Sequence, residues 1–466
     1  MVFCSQIFIF LFLPLCLIFY YLLPKFFRNS VLLLFSVFFY AWGEIQYLSL
    51  IFFSILFNYI IGLLIAKWNR KQLILAVGII VNLSSLLYYK YLGFFASIFH
   101  IDLEANLKNM VLPLGISFYT FHSISYLIDI YRKKAIAQKN LIKMGLYIVN
   151  FPQLVAGPIV RYHDVENQLS FRNHTINRFI NGASLFIVGL SKKVIIANTL
   201  GEMADAMFRA NIDYINSFQV WIGVLAYTLQ IYFDFSGYSD MAIGLGRMFG
   251  FEFKKNFNFP YISKSIKEFW RRWHISLSNW FRDYVYIPLG GNKGSNGRTA
   301  MNLFAIFILC GLWHGASVNF LIWGLYHGAF LALERGAFGR AISRLNPVFQ
   351  NTYMWLVVMV GWVFFRSDDF KMAINIIKKM FSFQSSNMVS VDVNSFINSF
   401  FVFILIIAIL FALKIPYKIY FYLIKRNAFS FQIIKTTGYV TLILLFLICI
   451  ADIVSNNYNP FIYYRF

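Results

Sequence analysis

The chain has 466 residues, of which 59% are hydrophobic and 13% are charged. This apolar share, together with a mean hydropathy of +0.65, exceeds that of soluble domains and indicates a polytopic membrane protein. The formal net charge of +22 does not indicate nucleic-acid binding, because the basic residues stand in short clusters between apolar runs, as in cytoplasmic loops that face anionic membrane lipids.

The first apolar run covers residues 7–23. It lacks the basic start and the small-residue cleavage pattern of a signal peptide, so we predict an uncleaved first transmembrane helix. Further apolar runs occupy residues 31–42, 47–66, 73–92, 111–130, 179–197, 218–233, 301–313, 317–334, 352–366, 396–413 and 436–454. Several are shorter than the roughly 17–25 residues that a full span needs. We therefore predict an all-α polytopic membrane protein with about 11 transmembrane helices plus one or two re-entrant segments.

Charged residues between the runs predict the orientation of the chain. Basic clusters follow the first, third and fifth runs, whereas the intervening loops carry acidic residues such as Glu44 and Asp102. Because cytoplasmic loops are enriched in Lys and Arg, the N-terminus and residues 455–466 are predicted to lie outside the cytoplasm. Residues 252–298, with nine basic and three acidic side chains, form the largest predicted cytoplasmic segment. We predict one membrane domain over residues 1–466.

The four cysteines, Cys4, Cys16, Cys310 and Cys449, all lie in apolar stretches. Their spacing matches no zinc or disulfide pattern, so we expect packed thiols and no metal site.

Two motifs interrupt the apolar runs in the first half of the chain. Residues 151–161 contain two prolines and a glycine, a pattern that ends a helix and either frees backbone groups to line a cavity or forms a simple turn. Residues 232–240 contain Asp234 and Asp240. A buried carboxylate needs a cation or hydrogen-bond donors, so Asp234 either forms a structural ion pair, orients a histidine or acts directly in catalysis.

The segment at 269–278 combines His274 with tryptophans and with Arg271 and Arg272. Arginines of this kind bind phosphates of a donor molecule, but tryptophan and arginine at a membrane boundary also serve as ordinary interface anchors. The pair Gly290 and Gly291 farther along predicts a turn.

Trp313 and His314 follow inside an apolar run. A polar group at membrane depth is costly, which favours a functional interpretation of His314 over a packed, hydrogen-bonded histidine. A neutral imidazole can take a proton from a hydroxyl that attacks a thioester. His327 has weaker sequence context and is interpreted as structural.

The motifs together resemble the membrane-bound O-acyltransferase family over nearly the whole chain. The stretches that carry the resemblance are residues 152–159, 234–242, 269–284 and 312–315. Within the family, the sequence is most similar to the integral-membrane subunits of bacterial alginate O-acetylation and their relatives. The resemblance implies tilted helices in a ring around a funnel, His314 as the catalytic histidine and His274 as the second histidine near the donor entrance, with Trp313, Arg271, Arg272 and Asp234 lining the site.

The C-terminal tail, residues 455–466, ends in an aromatic segment. It resembles the tail of this branch, whose tyrosine is proposed to take the acyl group, and this implies an acyl relay at Tyr463. Tyr464 stands where the family has phenylalanine, so the position of the acyl-bearing hydroxyl is open between the two. The alternative is an aromatic belt at the membrane interface.

The resemblance implies an acetyltransferase of the bacterial plasma (inner) membrane that binds no cofactor and uses acetyl-CoA or a carrier-linked acetyl group as donor. An extracytoplasmic acetyltransferase partner would complete transfer to an envelope polysaccharide, with membrane lipids around the chain. Three alternatives stay open: peptidoglycan O-acetylation, D-alanyl transfer to teichoic acid, and a transporter or channel. A transporter would explain broken helices and buried charge but requires neither of the Trp-His pairs, and the sequence shows no internal repeat.

Overall fold

The computed structural model describes residues 1–104, 107, 111–382, 391–425, 431–456, 458 and 460. The regular structure of these residues is helical, and no strand occurs among them. The chain forms two compact units, one of Met1–Phe186 with Tyr238–Lys255 and the other of Ile187–Gly237 with Asn256–Phe466. The predicted helical class is confirmed.

The first unit is built from nine α-helices that lie wholly within its described residues. They are α1 (Leu13–Leu22), α2 (Arg28–Glu44), α3 (Leu48–Lys67), α4 (Lys71–Leu86), α5 (Leu92–Ile98), α6 (Ile116–Tyr131), α7 (Leu141–Val149), α8 (Phe151–Leu154) and α9 (Tyr162–Val165). Two further helices, α10 (Ile176–Ser191) and α12 (Ser217–Met248), each contribute residues to both units.

The second unit contains the predicted histidine motifs. Its remaining helices are α11 (Thr199–Arg209), α13 (Ile266–Arg272), α14 (Ile275–Phe281), α15 (Asn296–His314), α16 (Val318–Leu333), α17 (Ala337–Ser343), α18 (Pro347–Arg366), α19 (Phe370–Met380), α20 (Val391–Ser395), α21 (Ser399–Ala412), α22 (Ile415–Lys425) and α23 (Phe431–Ser455). π-helical turns at Lys192–Asn198 and Arg282–Tyr286 adjoin α11 and α14.

Five helices in the described part of the chain are long and apolar enough to cross a membrane. They are Lys25–Lys67, Lys71–Ile98, Ile176–Arg209, Pro347–Arg366 and Gln432–Ser455. A sixth would be the pair Ser399–Ala412 and Ile415–Tyr422, which is bent by 62°. The apolar helices Phe8–Leu22 and Val318–Leu333 are shorter. The count of about 11 spans stays a prediction, because many apolar runs form helices shorter than the roughly 17 residues of a full span.

The predicted helix breaks and turns are present. α8 ends after four residues at Leu154, and the chain to Arg161 is irregular, as the prolines and Gly157 require. Gly290 and Gly291 have φ angles of 102° and 57°, which glycine adopts without steric cost. The turn between α14 and α15 is confirmed.

Helices α15 and α16 pack with glycine at the contact. A Cβ atom on Gly311 would lie 2.2 Å from the carbonyl oxygen of Phe320, and one on Gly324 would lie 2.2 Å from that of Phe307. Small residues allow two helix backbones to approach this closely. The crossing fixes the end of α15, where His314 lies.

Candidate active site

His314 is the last residue of α15. The helix begins at a Ser295 cap, whose hydroxyl accepts a hydrogen bond from the Arg298 amide at 3.3 Å, and it ends before an extended Gly315. His314 is 3% exposed, and its ring centroid lies 5.3 Å from that of Trp323 and 5.1 Å from that of Phe365. The C-terminal end of a helix carries partial negative charge, which stabilises an imidazole that accepts a proton.

His274 joins the short helices α13 and α14. Its backbone is left-handed, with φ 43° and ψ 55°, and the residue is 1% exposed. Nδ1 lies 3.2 Å from the Asn256 side-chain oxygen, which also accepts a 2.9 Å hydrogen bond from the Ser276 hydroxyl. Because that oxygen only accepts, Nδ1 carries the proton. Asn256 therefore orients the ring with the lone pair on Nε2.

The Nε2 atom of His274 is buried and has no hydrogen-bond partner among the described residues. Burial lowers the pKa of His274 to about 3, so the ring is neutral at physiological pH. A buried acceptor of this kind is costly unless it meets a donor. The geometry suits a group that contacts a hydroxyl or a thiol of a bound substrate.

Trp313 connects the two predicted histidines. Its ring centroid lies 6.0 Å from that of His274 and 4.9 Å from that of His314. All three side chains are buried. The structure thus brings together the residues of two motifs that are forty positions apart in the sequence.

Asp234 lies on α12 and forms an ion pair with Lys193. The Nζ and Oδ1 atoms are 2.8 Å apart, and both side chains are buried. The next residue, Phe235, contacts the His274 ring with centroids 4.6 Å apart. The carboxylate pairs with a lysine that sequence reasoning did not single out, although a charge inside the apolar run 179–197 was the available signal.

The described part of the C-terminal tail reaches this ion pair. The Asn198 side-chain amide donates to the Tyr458 carbonyl at 3.3 Å, and the Tyr458 hydroxyl donates to Asp205 at 3.0 Å. The ammonium of Lys193 donates to the Pro460 carbonyl. Cavities of 690 Å³ and 120 Å³ border Tyr458. The predicted relay residue, Tyr463, and its neighbour Tyr464 lie outside the described residues.

The predicted arginines take different positions. Arg272 pairs with Glu268 at 2.8 Å and also donates to the Asn258 carbonyl, whereas Arg271 is exposed. Neither contacts His274 or His314 in any described interaction. Trp270 and Trp273, for which an anchoring role at the membrane interface was the alternative, are packed inside the second unit. Trp273, for example, lies 4.9 Å from Trp362.

His327 lies closer to the histidine cluster than its sequence context indicated. Its ring centroid is 5.0 Å from that of Trp270 and 5.2 Å from that of Trp323. Trp323 also contacts His314, so it separates the two histidines. Sequence reasoning missed Trp323, whose only signal was its position four residues before His327 on α16.

Comparison with known proteins gives a family for this arrangement. A family model described as MBOAT, membrane-bound O-acyltransferase family, matches residues 132–367. The chain is similar to a probable alginate O-acetylase of Pseudomonas aeruginosa, with 47% identity over 394 residues that cover 82% of this chain and 75% of that protein.

Two further relatives are more distant. The peptidoglycan O-acetyltransferase of Helicobacter pylori is 35% identical over 443 residues, covering 85% of this chain and 83% of that protein. The teichoic acid D-alanyltransferase of Bacillus subtilis is 32% identical over 236 residues, covering 48% of this chain and 59% of that protein. Residues 132–367 contain both site histidines, and this chain belongs to the membrane-bound O-acyltransferase family as an integral-membrane O-acyltransferase.

Proposed function

We propose that this protein passes an acetyl group from a cytoplasmic thioester, acetyl-CoA or a carrier-linked acetyl group, to an envelope polysaccharide outside the bacterial plasma membrane. The observation that carries the proposal is the buried cluster of His274, Trp313 and His314. The 47% identity to an alginate O-acetylase supports acetyl as the group and an alginate-like polymer as the acceptor.

In the proposed reaction His314 is the general base. It takes the proton of the attacking hydroxyl as the new carbon–oxygen bond forms at the acetyl carbonyl. The carbon–sulfur bond then breaks, and protonated His314 passes its proton to the departing thiolate, which leaves as a free thiol. His274, held by Asn256 as a neutral acceptor, receives a hydrogen bond from the donor or acceptor molecule, and Trp313 spaces the two rings.

Tyr463 is proposed as the first acceptor, with a phenol ester as the intermediate. The support lies in the anchored carbonyls of Tyr458 and Pro460 beside Lys193 and Asn198. Three residues of chain span at most about 10 Å, which limits the distance between Pro460 and Tyr463. Pro460 meets Lys193, which pairs with Asp234, and the neighbour of Asp234 touches His274.

An extracytoplasmic acetyltransferase partner would then remove the acetyl group from the tail and pass it to the polymer. The cavities at Tyr458 offer a surface for that partner or for the polymer. The distribution of basic loops along the sequence supports an orientation with residues 455–466 outside the cytoplasm.

Peptidoglycan O-acetylation is a second candidate, because a relative with that name matches 85% of this chain. D-alanyl transfer has less support, since the relative with that name matches only 48%. The acetyl content of purified glycan fractions from cells with and without the protein distinguishes alginate-like polymers from peptidoglycan.

The relay is tested by incubating the purified chain with acetyl-CoA in the absence of any partner and mapping acetyl adducts by mass spectrometry. The expected adduct is on Tyr463, is lost in Tyr463→Phe and in His314→Ala, and is kept in Tyr464→Phe. An adduct that persists in Tyr463→Phe and disappears in Tyr464→Phe would move the relay by one residue. No adduct on either tyrosine would contradict the relay.

A further inference from the structure

A cluster of basic side chains lies in the first unit, away from the histidines. The guanidinium of Arg28 lies 5.4 Å from the ring centre of Tyr20 and 3.2 Å from Nδ1 of His174. The guanidinium of Arg172 donates to the Tyr20 hydroxyl at 3.2 Å and to the Asn29 side chain at 2.7 Å. Two positively charged guanidiniums therefore both lie next to Tyr20.

These two arginines differ from their neighbours in having no acidic partner. Arg178 and Arg247 both pair with Glu252, at 3.1 Å and 2.9 Å. Within the described part of the chain, Arg28 and Arg172 form no ion pair, and the Nε–H group of each is buried without a hydrogen-bond partner. Two close cations whose charge nothing balances attract an anion.

His174 does not supply the missing negative charge. Its Nε2 lies 2.9 Å from the Tyr20 hydroxyl, which donates to the Phe249 carbonyl. Burial, and then the charges of Arg28 and Arg172, lower the pKa of His174. The ring is therefore neutral at physiological pH, and the cluster keeps the two charges of the guanidiniums.

The surroundings of the cluster are apolar and exposed. Phe26 and Phe171 are each 87% exposed, and Leu22 and Ile176 are 79% and 78% exposed. These residues stand where the helix Phe8–Leu22 ends and where the spans Lys25–Lys67 and Ile176–Arg209 begin. Basic side chains beside exposed apolar ones at the ends of spans match the depth of lipid headgroups.

We propose that Arg28 and Arg172 bind the phosphate of an anionic phospholipid, whose acyl chains lie along the exposed apolar side chains beside them. Planar guanidiniums suit the phosphodiester oxygens and form charge-assisted hydrogen bonds with them. The site is independent of the acetyl transfer proposed above.

The test compares lipid binding by the purified full chain in detergent, followed by native mass spectrometry. Phosphatidylglycerol is the anionic probe, and phosphatidylcholine, which carries the same phosphate but no net charge, is the matched lipid. We expect the parent chain to retain phosphatidylglycerol about tenfold better than phosphatidylcholine, and the double variant Arg28→Gln/Arg172→Gln to lose that preference.

Arg178→Gln is the matched control, because it removes a nearby arginine that already has a carboxylate partner, and it should bind like the parent. Arg28→Lys/Arg172→Lys keeps both charges and should retain the preference in part, which separates charge from folding. Equal binding of both lipids by the parent, or unchanged binding by the glutamine variant, would overturn the proposal. Displacement of the lipid by millimolar inorganic phosphate would assign the cluster to a soluble phosphate instead.

Discussion

Trp313 lies between two buried imidazoles that differ in what holds them. His274 is fixed through Asn256, whereas His314 stands at a helix end among aromatic rings. If His314 is the base, removing its imidazole abolishes the proton transfer, while the packing around it stays largely intact. We expect His314→Ala to lower acetyl transfer by about 10²–10⁴-fold, measured with labelled acetyl-CoA.

The matched control for that variant is His100→Ala, since His100 is exposed in the first unit. It should transfer acetyl at the parental rate. A His314→Ala chain that elutes as the parent does in size-exclusion chromatography and retains parental activity would contradict the assignment.

His274 also predicts how stability depends on pH. Its folded pKa of about 3 lies below the ordinary value of about 6.5, so the unfolded chain binds the extra proton first. The contribution of the neutral ring to stability is present above pH 6.5 and is lost progressively as the pH falls toward 3. For each protein, the measured quantity is the drop in melting temperature between pH 7 and pH 4. This drop should be smaller for His274→Gln than for the parent. Parallel curves for the two proteins would refute this account.

At the scale of elements, the close crossing of α15 and α16 positions His314. A methyl group on Gly311 or Gly324 would lie 2.2 Å from a backbone carbonyl oxygen. The helix backbones would have to shift to relieve this clash. We expect Gly324→Ala to cost about 1–3 kcal/mol of stability and to lower activity by shifting the end of α15. Gly438→Ala, which has nothing within 4 Å of the added Cβ, is the control and should be neutral in thermal unfolding and transfer assays.

The π-helical turn Lys192–Asn198 contacts the described tail residues Tyr458 and Pro460. Lys193→Met removes the cation beside buried Asp234, which we expect to cost about 3–5 kcal/mol. Lys193→Met/Asp234→Asn removes both charges and should regain much of that stability, but not acetylation of the tail, because the donor to the Pro460 carbonyl is still missing. Lys193→Arg should restore part of the acetylation. Full recovery of tail acetylation in the double variant would mean that Lys193 acts only through its ion pair.

At the scale of the whole molecule, the helical class and the family followed from hydropathy and from motifs that carry chemistry. The number of spans could not be predicted in this way. Helix α8 stops at Leu154 after one turn, and the chain bends at Leu413 and Lys414, between α21 and α22. Hydropathy measures the length of an apolar run and not the bends within it.

The site was predictable only in part for a similar reason. His274, Trp313 and His314 stand out as polar or aromatic residues in unusual surroundings, and the structure brings them together. Asn256, Lys193 and Trp323 are ordinary residues whose roles arise from tertiary contacts with residues distant in sequence. Arg272 illustrates the reverse case, a residue that stands out in the sequence but has a local role. It forms an ion pair with Glu268, one helical turn earlier.

The most direct measurement uses inverted membrane vesicles that contain the protein, with the proposed acetyltransferase partner and acceptor polysaccharide in the lumen and labelled acetyl-CoA added outside. Vesicles with the parent chain should accumulate label in the polymer, and vesicles with equal amounts of His314→Ala should not. Equal labelling of the polymer by the parent and by His314→Ala would contradict transfer through His314, and no labelling by the parent would contradict transfer of acetyl across the membrane.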